Sequence, residues 1–122
     1  MKKIDKAAAQ GEIYIRRVKG NPETFLAGGT PLKAEKGRYI IGHSETGHHH
    51  VMERGGVDVV EMPSPTAGIR LLRMIVAQPD KELVHERPYD THETIGFGEG
   101  LYEIRIGREY DPYAQLARQQ AD

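Results

Sequence analysis

Four of the six histidines, His43, His48, His49 and His50, fall within eight residues. His48 and His50 are two apart, so on an extended strand both imidazoles leave the same face, roughly 7 Å apart at Cα. Two neutral rings so placed can converge on one divalent ion such as zinc. A tight turn over Ser44-Glu45-Thr46-Gly47 would bring His43 across to His48. His92 or His85 could then reach in from another strand, and Glu53 or Glu93 could add a carboxylate. The candidate metal ligands are therefore His43, His48, His50 and His92. The same residues have a plainer use: imidazoles hydrogen-bond at turns, stack on aromatic rings and solvate exposed strand edges. Charging together near their ordinary pKa, they would also make an interface pH-responsive.

Other motifs fall short of chemistry. Ser44 sits between His43 and Glu45, but adjacency in sequence is not a triad, and no nucleophile elbow surrounds it. Gly96-Phe97-Gly98-Glu99-Gly100 does not open a helix after a strand, so it reads as a β-turn rather than a phosphate cradle. A cupin wants three or four residues between its His-x-His and the glutamate that follows. Glu53 follows His50 with two residues between, and the match fails. Arg105, Arg108 and Glu109 read as ion pairs on a wet face. No residue qualifies as catalytic.

The elements that must position these residues are mostly strands. Alternation predicts strands over 12–18, 38–43, 48–53, 57–62 and 101–110, the last with Tyr102, Ile104 and Ile106 on one face and Glu103 and Arg105 on the other. Residues 68–77 are the most apolar stretch and predict the central strand. Residues 83–85 predict a short one. Residues 22–37, with two prolines and three glycines, predict a long irregular connection, and 86–100 another loop-rich one. Residues 1–10 are basic and Ala-rich, without a packing pattern, and read as an N-terminal arm. Asp111-Pro112 offers an N-cap with proline at the first helical position, predicting a short C-terminal helix over 111–122. The expected fold is all-β: one small sandwich or partly open barrel over 11–110, with that arm and that helix.

Composition narrows the function classes. The chain has 122 residues, the size of one domain. A net charge of -1 lacks the basic excess a dedicated nucleic-acid binder needs. The absence of cysteine excludes disulfides, thiolate zinc sites and cysteine nucleophiles. The basic start has no apolar stretch behind it, and no run approaches a membrane span, so a cytoplasmic protein is expected at synthesis.

Across most of its length the chain resembles a family of small proteins of bacteria and their phages. The residues that carry the likeness are Gln10-Gly11-Glu12, then Gly42 to His50 with Thr46-Gly47-His48-x-His50, then Thr91-His92-Glu93, then Arg108-Glu109-Tyr110. Two positions depart from the family pattern: Tyr89 stands where its first histidine of His-Glu-Glu-His falls, and Gly107 where glutamine is usual. If that pattern is a metal site, this chain has lost a ligand. The resemblance implies a fold and a phage or bacterial origin rather than a reaction.

The expected function is a non-enzymatic structural or interaction module, most specifically a phage virion component such as a capsid decoration (cement) protein. Its expected partners are other protein subunits, as a homo-oligomer or a capsid lattice, with neither nucleic acid nor membrane. The physical motive is that the two ends of the chain look unable to order themselves without a neighbour. The alternative is a metal-binding small β-barrel using the histidine cluster, with metal-dependent chemistry open to it; otherwise no cofactor is expected.

Overall fold

A computed structural model describes residues 2–42, 49–64, 66–86 and 93–107. These residues form eleven strands: β1 Lys2–Lys3, β2 Ala7–Gln10, β3 Ile13–Val18, β4 Thr30–Pro31, β5 Arg38–Gly42, β6 His50–Glu53, β7 Val57–Met62, β8 Ile69–Val76, β9 Lys81–His85, β10 Ile95–Phe97 and β11 Gly100–Gly107. They make two sheets, ordered β1-β10-β9-β6-β5 and β2-β3-β11-β8-β7-β4. The described part is all-β, and neither sheet closes on itself.

One apolar cluster draws on both sheets, which gives the molecule its two-layered, sandwich-like build. Ile41, Met52, Leu83, Ile95 and Phe97 come from the first sheet; Ile13, Ile15, Leu72, Met74, Tyr102 and Ile104 come from the second. The alternation of β11 is the clearest case. Tyr102, Ile104 and Ile106 are buried while Arg105 is exposed, as its period of two requires. Tyr39 on β5 ties the layers together, its hydroxyl donating to the Val57 carbonyl at 3.1 Å.

The N-terminal residues depart from the arm expected of them. β1 pairs in parallel with β10 in the first sheet, and β2 pairs with β3 in the second. Ile4, between them, is buried in the core. Alanines carry no amphipathic signal, so this pairing is made by main chain that the sequence does not advertise. This end of the chain is ordered against its own two sheets and needs no neighbour to hold it. The expected C-terminal helix over 111–122 lies outside the described residues.

Two further elements differ from expectation. Ile95-Gly96-Phe97 is a strand within the stretch expected as loop, and Gly100 opens β11 rather than belonging to a turn. The connection from 19 to 29 covers part of the outer face of the second sheet. Arg73 of β8 donates from Nη1 to the Phe25 carbonyl at 3.2 Å and stacks over the Phe25 ring at 5.2 Å. A Cβ on Gly29 would stand 2.3 Å from Cγ2 of Val60, so only glycine lets the chain lie this close to β7.

Candidate functional site

The histidine end of the molecule is organised by Gln10, a residue that strand periodicity passes over. It closes β2 immediately before the two-residue turn Gly11-Glu12, where Gly11 has φ of 59°, the positive value a primed hairpin turn requires. Its buried side chain crosses from the second sheet to the first. Nε2 donates to the carbonyls of Leu83 at 3.1 Å and Glu93 at 2.9 Å. Two carbonyl acceptors fix which end of the amide is nitrogen, so Oε1 faces His50 Nδ1 at 2.7 Å. An amide oxygen only accepts, so Nδ1 of His50 carries the proton. In the neutral ring the lone pair then sits on Nε2.

His50 opens β6 and is 2% exposed. It lies opposite His85 of β9, and the two rings stack at 4.0 Å with planes 6° apart. That geometry bears on His85 as an additional ligand. Ring nitrogens hold a metal in the plane of the ring at about 2.0–2.1 Å, and two parallel planes this far apart cannot share one ion. Glu53 lies three residues beyond His50 on the same strand, so it leaves the opposite face of the sheet, beside Arg38. Glu93 meets Gln10 through its main-chain carbonyl. Of the four candidate ligands, His50 is placed here; His43, His48 and His92 lie outside the described residues. Among the described residues no three His, Asp or Glu side chains gather as a metal-holding group.

Gly42, the last residue of β5, makes room for this arrangement. It pairs with His50 after a register shift beyond Ile40. A Cβ there would stand 2.8 Å from Cδ1 of Ile13 and 3.2 Å from Cδ2 of His50.

The second notable region is the outer face of the six-stranded sheet beyond the cover of residues 19–29. Tyr14, 56% exposed, stands between Ala9 of β2 and Arg105 of β11. Arg16 lies between Ala7 and Glu103 in the next row, with Nη2 3.3 Å from Glu103 Oε1; Arg105 reaches the same oxygen at 3.5 Å. An open cavity of about 450 Å³ runs along this edge, lined by Ala7, Ala9, Tyr14, Arg16, Glu103 and Arg105 among others. The alternation in the sequence turns these side chains outward, but it does not reveal that no described residue covers them.

Residues 9–107 match the family described as Domain of unknown function (DUF8820), and the chain belongs to it. The matched span begins inside β2 and ends with β11. No curated protein and no solved structure matches the chain. No helix among the described residues is long and apolar enough to cross a membrane.

Proposed function

We propose that this domain is a non-enzymatic interaction module that engages other protein through the open part of its six-stranded sheet, in its most specific form a virion component such as a capsid decoration protein. The observation that carries the reading is the exposed face around Tyr14, which no described residue covers. Residues 19–29 cover part of this sheet's outer side, while the part around Tyr14 presents an exposed aromatic ring, a cavity and three charged side chains beside a sheet edge. Aromatic and arginine side chains are the groups that anchor protein interfaces. The test is fractionation of large protein assemblies, virions included, on a density gradient from cells producing the chain. The chain is expected to travel with a particle in stoichiometric amount, and Tyr14→Glu to release it. A chain found only at its own small-protein position overturns the reading.

One observation favours metal binding as a second reading. A histidine whose Nδ1–H is held by an oxygen, as Gln10 holds His50, has its ring orientation fixed, as metal-binding histidines do. Zinc measured after chelator-free purification, in stoichiometric amount and lost in His50→Gln, supports it. Metal content well below one per chain ends it.

A further inference from the structure

We propose that the free edge of β2 pairs with the same edge of a second copy of this chain, antiparallel about a two-fold axis at Ala8, joining two six-stranded sheets into one. This rests on the reading of the domain as an interaction module and names its partner.

Among the described residues the two sheets end in four edge strands, β1, β5, β2 and β4. Three of them carry features that block edge-to-edge pairing: lysines, proline, shortness or a bulge. β1 is Lys2-Lys3 alone, β4 is two residues of which one is Pro31, and β5 breaks register between Ile40 and Gly42. β2, Ala7–Gln10, has none of these, and no described strand lies on its outer side.

The hydrogen-bonding groups of this edge are set by its inner pairing. Arg17 N donates to the Lys6 carbonyl at 2.8 Å. Antiparallel alternation therefore turns the main-chain groups of Ala8 and Gln10 toward β3 and those of Ala7 and Ala9 outward. Two N–H and two C=O groups face the open side. They complement themselves when Ala7 meets the partner's Ala9 and Ala9 meets the partner's Ala7, making four main-chain hydrogen bonds. Ala8 then faces the partner's Ala8.

The side chains agree with this register. On the outer face one row runs Glu103, Arg16, Ala7, then the partner's Ala9, the partner's Tyr14 and the partner's Arg105. Arg16 and the partner's Tyr14 are three strand spacings apart, about 14 Å at Cα, with only alanine methyls between them. An arginine and a tyrosine extended toward each other close that span, and the guanidinium meets the ring face. Glu103 keeps Arg105 when Arg16 turns away. The two-fold makes each contact twice, and no two like charges are neighbours along the row.

The chain has no cysteine, so Ala8→Cys supplies one thiol. Directly opposed residues of a non-hydrogen-bonded antiparallel pair hold Cα atoms about 4.5 Å apart, within the span of a disulfide. The experiment is sedimentation velocity on the full chain at increasing concentration, beside mild oxidation of Ala8→Cys. Expected is a dimer with a dissociation constant on the order of 10–100 µM, given so small an interface. A covalent dimer should form in Ala8→Cys. Ala9→Lys, whose side chain points outward, should weaken association about tenfold or more at unchanged melting temperature. A wild-type monomer throughout, or a dimer that Ala9→Lys leaves intact and Ala8→Cys does not trap, overturns the proposal. So does a monomer that dimerises once residues 108–122 are removed, since the chain's own end then occupies the edge. A monomer that still travels with a larger particle removes only this pairing. A dimer found in no particle removes only the wider reading.

Discussion

Gln10 concentrates more consequence than any other polar side chain described, because three hydrogen bonds from one amide join the two sheets. Gln10→Ala leaves the His50 N–H and two carbonyls without it in the interior. With each unsatisfied group costing roughly 1–3 kcal/mol and some relaxing, a loss of about 2–4 kcal/mol is expected in urea unfolding. Gln10→Glu should rescue little: a carboxylate can still accept from His50 but cannot donate to either carbonyl. Gly42 is the steric counterpart. Gly42→Ala is expected to cost about 1–2 kcal/mol, the usual range for overpacking. Adding Ile13→Val, which removes the Cδ1 atom lying 2.8 Å from the new Cβ, should recover part of that loss. A double-mutant cycle with no coupling between the two would show that the clash is relieved some other way.

Among elements, the first ten residues are the sharpest instance of structure that sequence patterning conceals. β1 and β2 are short and polar or alanine-rich, yet each adds a strand to a different sheet, with Ile4 buried between them. Ile4→Ala is expected to cost about 2–4 kcal/mol, the range for emptying a buried aliphatic site. For a domain of this size that lowers the melting temperature by on the order of 10 °C or more. A true arm would show no change. Hydrogen exchange should rank the strands in the same terms. Amides of β8 and β11, central in the longer sheet with eight paired positions between them, should exchange last, and those of β1 and β4 first.

For the whole molecule, packing one core between two sheets buries tyrosines whose ionisation then opposes folding. Burial raises the Tyr102 phenol above its ordinary value, with Arg17 partly opposing; burial and then Asp58 raise Tyr39. Both groups hold their protons more tightly folded than unfolded. The stability they contribute is therefore complete below the unfolded value near 10 and is lost as pH rises through the folded one. Unfolding free energy should stay level up to about pH 10 as far as these groups are concerned, then fall. The tyrosine absorbance change should show two phenols titrating late. If all tyrosines titrate together at their ordinary value before unfolding, the burial is wrong.

Much of the fold was legible in the residues themselves. Ile13–Val18, Val57–Met62 and Leu101–Ile106 alternate or run apolar strongly enough that only a strand satisfies them, since a period of two must put one face in the core. That physics is local, so the sequence by itself determined an all-β body and which faces of those strands turn inward. What it left open is non-local. The partnering of Ala7–Gln10, the strand hidden in Ile95-Gly96-Phe97 and the reach of Gln10 to His50 all depend on main chain and side chains far apart in sequence. Main-chain hydrogen bonds carry no residue signature. Only the tertiary structure decided that His50 is held inside by Gln10, and that β2 ends its sheet with no described strand on its outer side.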